Sequence, residues 1–387
     1  MTGLVRTALL TIALGTVVAL GLPAGAASAA STPTAAETGG RAVVVIEGGG
    51  GAHAFTTPWA TCDTGRAPFI QGLVDAGLPV FTAPGYGNRF GSTFGKTGCP
   101  LQPPVEVQWN TSAYPTQAGQ SVLGFLGYLN ATYGYTTFDL VGYSYGGVVA
   151  RATIAALKRQ PPAASMAPAF SYAQSAVAAG VTIPTLITLN TPHLGAPTYD
   201  IASDPARFTP QVDKAWGSQL AQAGRDLIIF ERQGGAGAIQ VLTTAGHARP
   251  DPTSWDMQQV GVLNGVSVTL IAGNYCGRSC GDATTPPSAT PTGRLRTDGV
   301  VPVYSQLILP CPATCPTPPG SVYVPPGMVP TTVVRKVFPT LHSTFSSRQL
   351  GLPAARSVSD NPAAIAYLIS RITDAWATAG VPLLPRA

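Results

Sequence analysis

Ser144 stands in Gly142-Tyr143-Ser144-Tyr145-Gly146, behind a short apolar run that ends at Val141 and ahead of a stretch with helical spacing. A serine hydroxyl is a weak nucleophile at neutral pH, so chemistry at this residue needs three things: a base within reach, freedom from the backbone, and donors for the oxyanion it creates. A strained strand-to-helix turn supplies the second, and the glycines two residues either side of Ser144 let strand and helix close on each other. The amides that open the following helix, with its dipole, favour negative charge beside the serine. Alone the pentapeptide is a weak signal, because a chain with 44 glycines produces it by chance. The apolar strand before it and the Val148, Ala152, Ala155 face after it strengthen the reading.

The base must be an imidazole, and the chain has only four: His53, His193, His247 and His342. On a parallel sheet of this kind the catalytic groups sit on loops at the carboxyl ends of strands, in the chain order serine, acid, histidine. His53 precedes the serine, and His247 falls in a segment that interrupts the sheet. His342, in Pro339-Thr340-Leu341-His342-Ser343, follows the last expected core strand and precedes the closing helix, where the base belongs. His193, in Thr191-Pro192-His193-Leu194-Gly195 directly after a core strand, is the alternative. The acid that orients the imidazole is then Asp282 or Asp298. Asp298 is preferred, because a glycine and an apolar segment, Gly299-Val300-Val301, anchor its loop tip to the core, whereas Asp282 lies between a cysteine pair and a Thr/Pro loop.

These stations need a scaffold. Ala42 to Ile46 reads as a buried parallel strand and runs into Glu47-Gly48-Gly49-Gly50-Gly51, whose backbone amides are free to face an anion, or which is simply a flexible turn. Leu78 to Ala83, Pro184 to Asn190 and Val266 to Ala272 are further strands, and Gln117 to Leu129 is a helix whose Val122, Leu123, Phe125, Leu126 and Leu129 form a face that packs on the sheet. Strands alternating with helices indicate βαβ units and right-handed crossovers. Residues 197–261 interrupt this rhythm with helical patches and no clear strand, as expected of a cap or lid inserted over the sheet edge. Ser359-Asp360-Asn361-Pro362 caps a closing helix whose Ile365, Leu368, Ile369, Ile372 and Trp376 share one face.

Composition bounds the rest. A chain of 387 residues, 10% charged and 45% hydrophobic, can bury a large core, and it has no Lys/Arg cluster to attract nucleic acid. Arg6, the apolar run Ala8 to Leu22 and the small residues Ala26 to Ala29 read as a signal peptide over 1–29, too short to span a bilayer, followed by a flexible tail over 30–40. The expectation is a secreted protein and a monomer. Six cysteines in that setting suggest up to three disulfides, in any of 15 pairings; zinc at the pairs Cys276/Cys280 and Cys311/Cys315 is the weaker reading.

With these pieces placed, the sequence resembles the α/β-hydrolase superfamily, and within it bacterial secreted lipases and esterases. Val141-Gly142-Tyr143-Ser144-Tyr145-Gly146-Gly147 is similar to their nucleophile elbow, Thr191 to Gly195 to a loop after the next strand, and Thr297-Asp298-Gly299-Val300-Val301-Pro302 to their acid-bearing turn. The resemblance implies an α/β fold over 41–387 with a mostly parallel sheet flanked by helices. It implies Ser144 as nucleophile, His342 as base, Asp298 as its orienter, and the amides of Tyr145 and Gly49 as the oxyanion hole. The implied activity is hydrolysis of carboxylic esters of small molecules or lipids, with transient contact to a lipid surface. An acyltransferase using the same site and a catalytically dead binding protein are the alternatives. Calcium-dependent relatives carry an acidic residue just after the histidine, where this chain has Ser343, Thr344 and Phe345, so no metal and no cofactor is expected.

Overall fold

The computed structural model describes residues 35–48, 67–86, 103–159, 168–203, 205–216, 221–222, 237–247, 254–275, 296–310 and 322–384. His53, Gly49, Asp282, the six cysteines and the expected signal peptide lie outside the described residues.

Eight strands are described: β1 (Arg41–Ile46), β2 (Val80–Thr82), β3 (Gly85–Tyr86), β4 (Trp109–Asn110), β5 (Thr137–Tyr143), β6 (Thr182–Leu189), β7 (Ser267–Gly273) and β8 (Val334–Phe338). Six of them form one sheet in the order β2-β1-β5-β6-β7-β8, and β3 and β4 pair separately. The pairings between these eight strands are all parallel, with Val44 opposite Leu140, Leu140 opposite Leu186, and Ile187 opposite Thr269. Every residue of β1 is buried, which is why it reads as a continuous apolar run instead of an alternating one. Alternate residues feed two cores: Val44, Ile46, Leu140 and Leu186 point to one face, and Val43, Val45, Val141 and Ile187 to the other.

Helices cover both faces. On the first lie α2 (Pro115–Tyr133), α3 (Tyr145–Arg159) and α4 (Pro168–Ala178); on the second lie α1 (Pro68–Asp75) and the C-terminal helix Pro362–Thr378. Asn361 caps that last helix by accepting from the Ala364 amide at 3.1 Å, and Leu368, Ile372 and Trp376 are fully buried beneath it. At the opposite end of the sheet from the site, Arg41 donates twice to Asp139, at 2.8 and 2.7 Å, and Trp376 Nε1 donates to the same carboxylate at 2.6 Å. This buried triad ties β1, β5 and the C-terminal helix together.

The structure departs from the sequence reading at two places. Ala35–Thr38, expected in a flexible tail, is a 3-10 turn with Thr38 buried; the Gly40 amide donates to Ala35 O, and Gly40 O accepts from Thr136. Over residues 35–40 the chain is therefore held in place to lead into β1. The edge strand β8 was not anticipated, because Arg335 and Lys336 are exposed in its middle and break the apolar run. Such charges suit an edge, where they discourage pairing with another chain.

In 197–261 the described residues form short helices, Pro197–Ser203, Pro205–Trp216, Gly237–Leu242 and Trp255–Gln258, with no strand among them. They bond to loops at the carboxyl ends of the strands: Ala238 N to Ser112 O at 3.0 Å and Thr198 Oγ1 to Val300 O at 2.9 Å. Among the described residues no helix is long and apolar enough to cross a membrane.

Candidate active site

Ser144 is the single residue between β5 and α3. Its φ of 53° lies in the left-handed region that non-glycine residues seldom occupy, and such strain costs on the order of 1–3 kcal/mol. The strain is held by its surroundings. The Ser144 amide donates to Leu189 O on β6 at 2.9 Å, and its carbonyl accepts from the Gly147 amide at 3.1 Å, closing the first turn of α3. A side chain at Gly146 would collide with the carbonyls of Ile46 and Glu47, so the turn can nest against the end of β1 only with glycine there.

The residues offered by the sequence as base and acid reach this point from distant loops. His342 follows β8, and its Nε2 lies 2.9 Å from Ser144 Oγ, across a separation of 198 residues. On the other side of the ring, Nδ1 lies 2.8 Å from Asp298 Oδ2. All three side chains are buried, Asp298 completely. The carboxylate is fixed in turn: Asp298 Oδ1 accepts from the amides of Val300 and Val301 at 2.9 and 2.7 Å, and the Asp298 carbonyl accepts from the His342 amide at 2.9 Å. An ionised carboxylate only accepts, so the contact fixes the proton on Nδ1 and leaves the Nε2 lone pair facing the serine hydroxyl. That is the tautomer a general base requires.

His193, the alternative base, is elsewhere engaged. It is fully buried, with Nδ1 3.3 Å from Arg151 Nη1 and Nε2 3.1 Å from Thr188 Oγ1. A guanidinium can only donate, so Nδ1 accepts and Nε2 donates to the threonine. Burial, and then the charges of Arg151 and His247, hold its pKa well below the usual histidine range. Its loop packs against α3 and supplies no base. His247 is tied within 197–261, its Nδ1 2.6 Å from Asp256 and its Nε2 2.7 Å from Val241 O.

Two backbone groups border the position an oxyanion would take. Tyr145 opens α3, where helix geometry provides no intrahelical acceptor for its amide. Its side chain is anchored away from the site, the hydroxyl donating to Ala113 O at 2.6 Å, and burial raises its pKa. Gly48, just after β1, comes so close to the serine that a Cβ there would lie 2.8 Å from Ser144 Cβ. The glycine run thus meets the Ser144 turn at Gly48.

Three supporting residues escaped the sequence reading. Gln306 is fully buried and ties the Asp298 loop to the end of β7: its Nε2 donates to Val301 O at 2.7 Å and to Gly273 O at 3.1 Å, and its Oε1 accepts from the Gly273 amide at 2.8 Å. No motif marks it. Gly273 itself ends β7 where a Cβ would fall within 2.9 Å of Asn190, Thr340 and Asp298. Asn190, the last residue of the apolar run 184–190, carries a faint signal as a polar residue at a strand's carboxyl end.

A parallel sheet in this order, with a serine at the β5–α3 turn, an acid after β7 and a histidine after β8, is the arrangement of the α/β-hydrolase fold. Residues 117–247, from α2 through the serine turn and into the inserted segment, match the family model described as "Putative serine esterase (DUF676)". No curated protein matches the sequence. Among solved structures, the chain is similar to the mature form of the Bacillus licheniformis lipase BlEst2, at 15% identity and TM-score 0.39, over 82% of this chain and 88% of that one. It is similar also to lipase 1 from Pelosinus fermentans, at 13% identity and TM-score 0.39, over 85% and 98%. A bacterial brefeldin A esterase shares 13% identity at TM-score 0.39, over 87% and 68%.

Proposed function

We propose that the protein is a secreted serine hydrolase that cleaves carboxylic esters through an acyl-Ser144 intermediate. The observation that carries this reading is the unbroken relay from Ser144 Oγ through His342 to Asp298, with contacts of 2.9 and 2.8 Å. The match of residues 117–247 to a serine esterase family favours an ester over other acyl substrates. Secretion rests on the sequence of residues 1–29, a basic residue, an apolar run and small residues at the cut.

In this mechanism His342 Nε2 takes the Ser144 proton as Oγ attacks the carbonyl carbon, and the positive ring that forms is held by Asp298. The carbonyl oxygen becomes an oxyanion beside the Tyr145 amide and an amide of the glycine run after β1; one such donor is worth about 3 kcal/mol in sites of this type. His342 returns its proton to the leaving alcohol as the C–O bond breaks. Water then attacks the acyl-serine, giving its proton to His342, and the acid departs as Ser144 recovers that proton. No step needs a metal or cofactor.

The test is a chain-length series of nitrophenyl esters on the wild type and Ser144→Ala, with and without an added alcohol. Nitrophenol and free acid from the wild type alone are expected. Transfer of the acyl group to the alcohol in preference to water would replace hydrolase by acyltransferase. A folded wild type that hydrolyses no ester and takes up no fluorophosphonate would make it a binding protein.

A further inference from the structure

The loop that carries His342 is held by two side chains from neighbouring strand ends, at two consecutive carbonyls. Asn190, just after β6, donates through Nδ2 to Leu341 O at 3.2 Å, and the Tyr143 hydroxyl at the end of β5 donates to His342 O at 2.6 Å. The Tyr143 ring also lies against the imidazole, with centroids 5.7 Å apart and planes inclined by 31°. We infer that Asn190 and Tyr143 are positioning residues for His342, a clamp that sets where the imidazole stands between Ser144 and Asp298. The inference rests on the proposed role of His342 as base.

The ordinary alternative is that both bonds merely stabilise a loop. Asn190 speaks against it. Its φ of 49° is left-handed, and its buried Oδ1 has no hydrogen-bond partner among the described residues. Asparagine tolerates the left-handed backbone better than most residues, but glycine would suit it at least as well and would remove the unsatisfied oxygen. What glycine would lack is the Nδ2 donor. The position therefore accepts strain and an unsatisfied oxygen in return for one hydrogen bond to the residue preceding His342, a pattern expected where geometry matters more than stability. Tyr143 is equally placed: it directly precedes the nucleophile, so its hydroxyl couples the serine turn to the base through a single side chain. The main chain adds ties on the far side, Leu341 N to Arg356 O at 2.6 Å and His342 N to Asp298 O at 2.9 Å.

The experiment compares the wild type with Tyr143→Phe and Asn190→Gly, each rate normalised to active sites titrated by an acylation burst. Tyr143→Phe keeps the ring against His342 and removes only the hydroxyl; Asn190→Gly suits the left-handed backbone and removes the donor with the rest of the side chain. Each is expected to lower kcat about tenfold, with KM within a factor of two, because a displaced general base slows chemistry without altering ground-state binding. The acid limb of the kcat profile should move to lower pH, since an imidazolium less well aligned with Asp298 is less stabilised. Asn190→Gly should move the acid limb even where the lost bond to buried Leu341 O lowers its melting temperature. Rates within twofold of wild type for both variants overturn the clamp, as does a loss of rate that follows the melting temperature with the acid limb unmoved. If the wild type hydrolyses no ester, the functional reading fails by itself, and the clamp is then read from the rate at which a fluorophosphonate labels Ser144. Equal labelling rates in all three proteins would overturn it.

Discussion

Asp298 turns its two carboxylate oxygens to different partners: Oδ2 lies 2.8 Å from His342 Nδ1, while Oδ1 accepts from the Val300 and Val301 amides. The backbone bonds fix the carboxylate so that the oxygen facing the ring cannot rotate away. Asp298→Asn keeps the shape but can present an NH2 to Nδ1, which would make that nitrogen an acceptor and put the ring proton on Nε2, facing Ser144. The expected outcome is a loss of roughly 10³–10⁴-fold in kcat on a nitrophenyl ester at near-native stability, from the wrong tautomer. A kcat within tenfold of wild type would show that Asp298 does not orient the ring.

Gly273 lies where three loop residues converge, and a methyl group there would press on Asn190 Nδ2 and Thr340 O at 2.8 Å and on Asp298 Cβ at 2.9 Å. Two of these contacts are with the supports of His342. Gly273→Ala is expected to lower stability by about 1–3 kcal/mol in urea unfolding, the usual range for overpacking. It should also slow ester hydrolysis more than its unfolded fraction explains. Unchanged stability and rate would mean that the loops yield freely.

His193 gives the protein an acid limit. Burial first, then Arg151 and His247, depress its folded pKa, so below pH about 6.5 the unfolded chain takes up a proton that the native state refuses. Stability is therefore full above that pH and falls as pH drops, with this group contributing up to about 1.4 kcal/mol per pH unit. In His193→Gln, whose side-chain carbonyl can still accept from Arg151, the stability curve between pH 6.5 and 5 should be shallower than that of the wild type by this amount. Parallel curves would show that His193 titrates alike in both states.

The core of the fold was legible where burial imposes one physical demand on consecutive residues. The strands β1, β6 and β7 lie within the sheet, covered on both faces, so Val43 to Ile46 reads as an unbroken apolar run, and Leu186 to Leu189 and Val268 to Ala272 as runs broken only by a buried threonine each, Thr188 and Thr269. The edge strand β8 meets no such demand, and Arg335 and Lys336 concealed it. Ser144 announced itself because the sharp turn needs small residues at fixed offsets. His342 was reached by scarcity, one of four histidines, and by chain order. Gln306 and Gly273 could not be read, and Asn190 only faintly, because their significance lies mainly in contacts with residues distant in the chain, such as Gln306 with Gly273, 33 positions apart, and Asn190 with Leu341, 151 apart, which no local spacing encodes.

The central claim is that Ser144 is a nucleophile activated by His342, and the most direct measurement is intact-mass analysis after brief exposure to a fluorophosphonate, followed by peptide mapping. The account expects one adduct per chain on Ser144 in the wild type, none in Ser144→Ala, and labelling of His342→Ala slowed by orders of magnitude while it stays folded. Equal labelling of wild type and His342→Ala, or an adduct on another residue, would contradict it.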